Sequence, residues 1–437
     1  MYIMCNRWSA LVVSMLCVGI SNMMATMPRT PLGMPNINLT CYMNSGLQSL
    51  YQVVPLTKGL LSQSPDYYKA GSLARAYQQF VRSYTSSSTP IIDRSVVDVF
   101  YKDLTPHLSR VTVEAMQDVT EITGKLLESL QRDMAVEGHA TLSPFIFDTE
   151  SRAVCKTCGT VSEKKSTNNS LNVRSSRAET LRGCLEAYFS KEVVTQMCRN
   201  FNCPQSGYAK VVETFLAEVG KKDESLYVSL LSHDEDLKTY LLTDFNIRKA
   251  VTHVGLSPDV VTKLNKMLDE QVYTVAGSDR KINLVDFLNE NKNTAMDQTV
   301  ALLTLPQSFF ISVNRPQQDT KRVSFVLEKL DVGTYLKAKK PEEYYYLQAV
   351  VMYNGGHYWA YVQNNGQWYK CDDTRTEPID SGRMQKIADD GGDTGGYAYA
   401  LFYQKGAPAT VSTSTNMPKK LLYDMQSDLT VLAGKIR

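Results

Sequence analysis

The chain changes its hydrophobic period along its length, and no other feature constrains its fold as much. Leu47 and Leu50 share one face of a helical segment that starts within residues 36–60, and residues 119–130 repeat apolar side chains at the helical period within a largely helical stretch, 94–132. Further helices are predicted at 181–188 and 260–272. β-Prone runs then dominate at residues 309–313, 323–327, 347–353, 359–363 and 399–403. A helical part therefore precedes a β-rich part.

The composition is that of a globular protein. Hydrophobic residues make up 43% of the 437 residues and charged residues 21%, which excludes disordered and fibrous classes. Lys and Arg number 47 and Asp and Glu 45, a formal charge of +2. Nucleic-acid-binding proteins usually carry a basic excess, so we expect no nucleic-acid partner.

Residues 1–25 differ from the rest of the chain. Arg7 is their only charged residue, residues 10–20 form an apolar run, and small and polar residues follow up to Ala25. This pattern predicts a secretory signal peptide, and the run is too short to cross a membrane. The alternative is a buried or disordered N-terminus. No later stretch reaches 18 apolar residues, so we expect a secreted mature chain without a stable membrane span.

Three residues of types used in nucleophilic catalysis occur in suitable local settings. Cys41 lies at the predicted first turn of a helix, where free backbone N–H groups and the helix dipole favour a thiolate. His357 follows two glycines at the mouth of a strand, and Asp372 lies on the next hairpin strand. Cys, His and Asp in this order match the triad of cysteine proteases. A buried structural thiol and a packed histidine are the alternatives at this point.

The segments around these residues resemble the Cys box and His box of the ubiquitin-specific proteases, a papain-like family of deubiquitinases. The first box shares nine residues with the family pattern: Asn36, Thr40, Cys41, Tyr42, Met43, Asn44, Ser45, Leu47 and Gln48. The second box shares twelve: Tyr345, Leu347, Ala349, Val350, Val351, Gly356, His357, Tyr358, Tyr361, Trp368, Asp372 and Asp373. The segments 117–127, 305–306 and 399–403 match further landmarks in order, so the resemblance covers residues 30–404. It implies an α+β, papain-like fold with thumb, palm and fingers subdomains.

The resemblance also implies roles for individual residues. Cys41 would be the nucleophile, His357 the general base and then acid, and Asp372 the carboxylate that orients the imidazole. Asn36 would supply the side-chain amide of the oxyanion hole, together with the backbone N–H of Cys41.

Four further residues are implied to bind the substrate. Asp118 and Glu121 fall where the family meets the basic C-terminal tail of ubiquitin, and Gln117 and Tyr358 belong to the same set. The alternative for the two acidic residues is a solvated helix face.

The chain departs from the family pattern at three points. Asn38-Leu39 replaces the Gly-Asn that usually precedes Thr-Cys, and Asn tolerates a positive φ better than most residues. Tyr353 takes the position of the first histidine of the His box. The loop from Asn354 to Gly356 is shorter than in the family, which bears on how substrate is gated over the cleft.

Two cysteine pairs have the spacing of a metal site. Cys155 and Cys158 form a CxxC knuckle followed by Gly159, and Cys198 and Cys203 form a wider pair. Four thiolates suit a structural, tetrahedral Zn²⁺ with no open position for catalysis. Two disulfides or reduced core thiols are the alternatives.

These observations give one domain plan and one function. Residues 30–404 form the catalytic domain, with fingers at about 145–217 and an insertion at about 218–297, and residues 405–437 form a linker and a C-terminal helix at 419–436. The predicted activity is hydrolysis of the (iso)peptide bond after the C-terminal glycine of ubiquitin on conjugated proteins or chains. The alternatives are a protease for a ubiquitin-like modifier and a non-catalytic ubiquitin-binding module. Export into a host cell cytoplasm would reconcile the signal peptide with a cytosolic substrate.

Overall fold

The computed structural model describes most of the chain between residues 30 and 406. The described residues are 30–107, 116–136, 144–198, 203, 207–233, 236–237, 247–270, 272–274, 281–283, 286, 293–316 and 319–406. The predicted signal peptide, 1–25, and the predicted C-terminal helix, 419–436, lie outside them.

Five helices form the first lobe. Their bounds are α1 Cys41–Tyr51, α2 Val54–Ser62, α3 Leu73–Ser86, α4 Arg94–Leu104 and α5 Val119–Val136. The helix predicted within residues 36–60 is two helices, because Pro55 lacks the N–H that would continue α1 and instead lies in the first turn of α2. The stretch predicted as largely helical, 94–132, holds α4 and most of α5, while residues 108–115 lie outside the described part.

A large sheet packs against this lobe. Its strand order is β13-β12-β11-β10-β14-β8-β3, with β9 paired to β10, and only β3 and β8 run parallel along that order. The strands are β3 Leu171–Arg174, β8 Ser308–Asn314, β9 Leu330–Asp331, β10 Tyr344–Tyr353, β11 Tyr358–Asn364, β12 Gln367–Asp372, β13 Arg375–Ile379 and β14 Tyr397–Lys405. Every residue of α1 is buried, and this helix lies against β10 and β11 in the core between lobe and sheet. The sheet therefore fixes α1 beside the β10–β11 turn.

A second, four-stranded sheet has the order β2-β1-β7-β4. Its strands are β1 Phe147–Cys155, β2 Val161–Asn168, β4 Glu192–Met197 and β7 Asn293–Leu302, and helix α6 Leu181–Phe189 precedes β4. Between β4 and β7, the described residues include helices that share an apolar core, and a short hairpin: α7 Gly207–Lys222, α8 Glu224–Leu231, α9 Ile247–His253, α10 Pro258–Glu270, β5 Val272–Thr274 and β6 Lys281–Asn283. These bounds differ from those of the predicted insertion, 218–297. Helix α7 begins earlier, at Gly207, and β7 belongs to the sheet from Asn293.

One predicted strand is wrong. Residues 323–327 form no ladder, because successive backbone groups find different partners: Ser324 bridges Thr180, Phe325 N donates to Ala388 O and Leu327 O accepts from Leu347 N. Val323 and Phe325 are nevertheless buried, which explains their strand-like alternation. Helix α11, Ser381–Asp389, packs against β12 and lies between β13 and β14 in the chain. Among the described helices, none has the length and apolar character to cross a membrane.

Candidate active site

Cys41 occupies the first position of α1 and is buried, with 2% of its surface exposed. The thiol therefore lies at the end of the helix where backbone N–H groups lack acceptors within the helix and the helix dipole is positive. The preceding turn takes Asn38 to a φ of 53° and Leu39 to 60°. The turn therefore requires the left-handed conformation at Asn38 and Leu39, the pair that replaces the Gly-Asn of the family pattern. Leu39 adopts it as an exposed apolar residue.

His357 lies in the tight turn that joins β10 to β11. The side-chain oxygen of Asn354 accepts hydrogen bonds from Gly356 N at 3.0 Å and from His357 N at 2.8 Å. Gly355 has a φ of 97°, which only glycine adopts without strain. Asn354 thus holds the short loop, which carries His357 at the end of β10 and the start of β11, the two strands against which α1 packs.

Asp372 ends β12 and orients this imidazole. His357 Nε2 and Asp372 Oδ1 are 2.7 Å apart, and Lys370 Nζ lies 3.4 Å from the other carboxylate oxygen. The hydrogen bond to Asp372, and to a smaller extent the one to Cys41, raises the pKa of His357 to about 10. The bond to His357 lowers the pKa of Asp372 in turn. The structure thus brings together Cys41, an imidazolium and a carboxylate.

Asn36 also lies at this site. Its Oδ1 accepts from Thr40 N at 2.9 Å, and its Nδ2 donates to Asp373 Oδ2 at 2.8 Å. These two bonds fix which end of the amide faces which neighbour, because a carbonyl oxygen could not face the carboxylate favourably. An amide nitrogen carries two hydrogens, so one donor of Asn36 remains after the bond to Asp373.

Asp373 was not singled out from the sequence, although it is the second member of the Asp pair in the His box. Its Oδ1 accepts from Asn44 Nδ2 at 2.7 Å and its backbone oxygen accepts from Met34 N at 2.8 Å. Its φ of 50° turns β12 into β13. Asp373 therefore connects the turn after Asp372 to the segment before Cys41.

The predicted substrate-binding residues surround the start of α5. Asp118 is half-buried; it accepts from Thr120 N and from the hydroxyl of Tyr399, each at 2.7 Å. Glu121 is 60% exposed and pairs with Lys125 one turn along the helix. With the hydroxyl of Thr120 as a further donor at 2.7 Å, Asp118 is held in place from both sides, while Glu121 lies on a solvated face.

The other two predicted residues differ in burial. Gln117 is half-buried beside Asp118. Tyr358 is buried and stacks on Tyr353, at 4.2 Å between ring centroids, and both rings meet Tyr399 edge-on. Tyr353, at the position of the missing histidine, therefore belongs to an aromatic cluster next to the turn that carries His357.

The four cysteines of the predicted metal site converge. Cys155 Sγ and Cys203 Sγ are 3.7 Å apart, Cys158 Sγ and Cys198 Sγ are 3.5 Å apart, and all four sulfurs lie within 4.8 Å of one another. Sulfurs bound to one tetrahedral Zn²⁺ are about 3.8 Å apart at a Zn–S distance of about 2.3 Å. The cysteines are free thiols, and Gly159 turns the knuckle with a φ of 72°. Hydrogen bonds with Thr160 lower the pKa of Cys158 to about 6, which favours the thiolate that a metal needs. The donor set and spacing therefore fit a closed structural zinc site.

A thiol at a helix N-terminus, an imidazole held by a carboxylate and an amide donor beside them define a cysteine hydrolase of the papain-like class. A family model described as ubiquitin carboxyl-terminal hydrolase matches residues 32–403, and the chain belongs to that family. This confirms the resemblance read from the two boxes.

Known proteins similar to this chain agree with the family. Ubiquitin carboxyl-terminal hydrolase 37 of Gallus gallus is 22% identical over 221 residues, which are 40% of this chain and 22% of that protein. The chain thus matches about a fifth of the length of this curated relative. The similarity to solved structures extends over most of the chain.

Two structures of Ubp8 in the SAGA DUB module with Sgf11, Sus1 and Sgf73 share the fold. The one bound to monoubiquitin has a TM-score of 0.54 at 16% identity and covers 87% of this chain and 71% of that chain. The one bound to ubiquitin aldehyde has a TM-score of 0.56 at 14% identity and covers 91% of this chain and 75% of that chain. The predicted α+β fold of thumb, palm and fingers is confirmed.

Proposed function

We propose that this chain is a thiol-dependent deubiquitinase that hydrolyses the (iso)peptide bond after the C-terminal glycine of ubiquitin. The observation that carries the proposal is the 2.7 Å bond between His357 and Asp372 beside Cys41, in a chain of this family. The partners are ubiquitin and ubiquitinated proteins. A site complete in all three groups favours an enzyme over a binding module.

The geometry supports a two-stage reaction. The Cys41 thiolate attacks the carbonyl carbon of the last glycine, and the oxygen becomes an oxyanion that accepts from Asn36 Nδ2 and Cys41 N–H. His357 then protonates the leaving amine, which departs and leaves a thioester on Cys41. In the second stage His357 takes a proton from water, the water oxygen attacks the thioester, and the Cys41 thiolate leaves. Asp372 keeps the imidazole oriented throughout.

Recognition of ubiquitin's basic tail rests on Asp118. This carboxylate is half-buried and already oriented by Thr120 and Tyr399, so little side-chain entropy is lost when it accepts from an arginine. Glu121 contributes less, since it is exposed and already paired with Lys125.

Zinc has a structural role in this proposal. Cys155 ends β1, Cys158 follows in the turn before β2, and Cys198 and Cys203 come after β4 in the chain. A metal bound by these four thiolates would link the end of β1 and the turn after it to the end of β4, and it would supply no chemistry to the reaction.

The test is hydrolysis of matched substrates in which a fluorogenic amine is linked to the C-terminus of ubiquitin or of a ubiquitin-like modifier. We expect the ubiquitin substrate to be cleaved with the higher kcat/KM and the Cys41→Ala variant to cleave neither. Preference for another modifier would favour the related protease. Binding of ubiquitin without cleavage of any substrate would favour the binding module.

Secretion forms a separate part of the proposal. We propose that residues 1–25 are removed during export and that the mature enzyme acts in a host cell cytoplasm. The support is the apolar run 10–20 with Arg7 before it and Ala25 after it. N-terminal sequencing of the protein from producer cells and from medium tests this. Finding only uncleaved protein, and only inside the producing cell, would refute it.

A further inference from the structure

A chain of hydrogen bonds runs from α4 to the oxyanion amide. The Tyr101 hydroxyl donates to Asn44 Oδ1 at 2.6 Å, and Asn44 Nδ2 donates to Asp373 Oδ1 at 2.7 Å. The other oxygen of Asp373 accepts from Asn36 Nδ2 at 2.8 Å. Each link is a donor facing an acceptor, and the Asp373 carboxylate accepts from the amides on both of its sides.

The chain is buried where it begins. Tyr101 and Asn44 each expose 2% of their surface. Burial raises the pKa of Tyr101 well above its usual value, so its hydroxyl stays protonated and donates. A buried donor or acceptor left without its partner is costly, and rearrangement is correspondingly disfavoured.

Tyr101 contributes to the orientation of Asn44 by donating to the oxygen of its amide. An amide can rotate to exchange its oxygen and nitrogen, and Asn44 then presents either a donor or an acceptor to Asp373. Because Tyr101 donates to Oδ1, the nitrogen faces Asp373 and holds that carboxylate toward Asn36. Asn44 Nδ2 also donates to the backbone oxygens of Met34 at 3.4 Å and Pro35 at 3.3 Å, so the Tyr101 hydroxyl is the partner that holds the oxygen end of this amide.

We infer that Tyr101 and Asn44 are positioning residues for the oxyanion hole, acting through Asp373 on Asn36. This inference rests on the proposed function, because an oxyanion forms only if the site cleaves an acyl bond. Neither residue needs to touch the substrate. Their effect falls on the transition state, where the Asn36 amide is used.

The test compares two reactions of Cys41 with ubiquitin derivatives. Hydrolysis of a fluorogenic ubiquitin amide passes through an oxyanion. Addition of Cys41 to a C-terminal propargylamide of ubiquitin gives a vinyl thioether and forms no oxyanion. The variant is Tyr101→Phe, which removes the hydroxyl and keeps the ring. The control is Tyr77→Phe, because the buried Tyr77 hydroxyl has no hydrogen-bond partner among the described residues.

We expect Tyr101→Phe to lower kcat by about tenfold, with KM and the propargylamide adduct rate within about twofold of wild type, since one oxyanion donor is worth about 10²–10³ in kcat. Asn36→Ala gives the loss in kcat that follows when the oxyanion amide is removed. Adding Tyr101→Phe to this variant should lower kcat no further. Tyr77→Phe should match wild type in both reactions.

The outcomes separate the two proposals. Equal losses in both reactions, or a further loss in the double variant, would make Tyr101 merely structural and overturn the inference. Unchanged hydrolysis by Tyr101→Phe would overturn it too, with the proposed function intact. A folded wild type that hydrolyses no ubiquitin amide would overturn the proposed function and the inference with it. Asn44→Asp, which puts a carboxylate against Asp373, should reproduce the Tyr101→Phe pattern with a larger loss in kcat.

Discussion

Asn36 and Asp373 are joined by a 2.8 Å hydrogen bond across 337 positions of sequence. The bond links the segment that leads into the catalytic helix with the turn that follows Asp372. One end of the chain therefore places the nucleophile and the other places the imidazole and its carboxylate. The bond between Asn36 and Asp373 holds these two parts of the site together.

The contact of Gly33 with Thr374 gives the first prediction. A Cβ at position 33 would lie 2.2 Å from the Thr374 carbonyl oxygen, and this neighbour is backbone that cannot rotate away. Gly33→Ala should therefore push the β12–β13 turn outward and lower the free energy of unfolding by about 1–3 kcal/mol. It should also lower kcat/KM, because Asp373 moves away from Asn36. Denaturant unfolding and ubiquitin-amide hydrolysis measure the two effects.

Gly124→Ala is the matched control. Gly124 lies within α5, and a Cβ there would meet no atom within 4 Å in the described part of the chain. Alanine should raise helix stability by about 1 kcal/mol and leave kcat/KM unchanged. A Gly33→Ala variant as stable and active as wild type would contradict the close docking of these segments.

The raised pKa of His357 gives a prediction about pH. The imidazolium persists up to a pKa of about 10, so wild-type kcat/KM should fall only as pH rises through that region. Asp372→Asn removes the largest cause of the shift, and the alkaline limb should move toward pH 6.5, the ordinary histidine pKa. The pH profile of ubiquitin-amide hydrolysis measures the limb, with the exposed Asp390→Asn as control. An alkaline limb at the same pH in wild type and Asp372→Asn would refute this assignment.

Stability should follow the same group. A pKa raised by folding contributes stability that is fully present below pH 6.5 and is lost as pH rises toward 10. The unfolding midpoint of wild type should thus decline over this window more than that of His357→Ala. Parallel curves for the two proteins would exclude a coupled imidazolium.

Zinc content gives a third prediction. Purified protein should carry one zinc per chain, and Cys158→Ser should lose it because three thiolates bind more weakly than four. Cys184→Ser is the control, since Cys184 is a buried free thiol outside the cluster. Native mass spectrometry gives the metal content, and a chelator should lower the unfolding midpoint of wild type and Cys184→Ser but not that of Cys158→Ser. A metal-free wild type with the mass of two disulfides would contradict the zinc site.

The recognition of ubiquitin's tail gives a fourth prediction. Asp118→Asn keeps the acceptor that caps α5 and removes the charge, so it should raise KM for ubiquitin amide by about tenfold or more. Glu121→Gln should raise KM by less, because this side chain is exposed and paired. Steady-state kinetics measure both, with a ubiquitin whose tail arginine is replaced by alanine as the partner in a double-mutant cycle. Losses that add without coupling would place the contact elsewhere.

Local chemistry made much of the fold predictable. Helix α1 and strands β8, β10, β11, β12 and β14 follow from apolar periodicity and β-branched or aromatic runs, and the ordered boxes identified the family. The strand predicted at 323–327 was wrong because the alternation there reflects burial of Val323 and Phe325 and not pairing in a ladder. The predicted insertion includes residues 293–297, the first part of β7, because polar residues there do not indicate a strand that depends on pairing with β1 and β4.

The candidate site was predictable only in part. Cys41, His357 and Asp372 stand out by motif, and the structure brings them together. The bonds from Asp373 to Asn36 and from Tyr399 to Asp118 join residues hundreds of positions apart, and no local pattern indicates such pairs. The positive φ of Leu39 could not be predicted from the sequence either, because leucine rarely adopts this conformation and the surrounding structure imposes it.

The most direct test uses ubiquitin with an electrophilic C-terminal group and residues 26–437 of this chain. Intact mass spectrometry with peptide mapping should show one ubiquitin bound covalently at Cys41 in wild type and none in Cys41→Ala. No adduct on the folded protein, or an adduct on another cysteine such as Cys184, would contradict Cys41 as the nucleophile of a deubiquitinase.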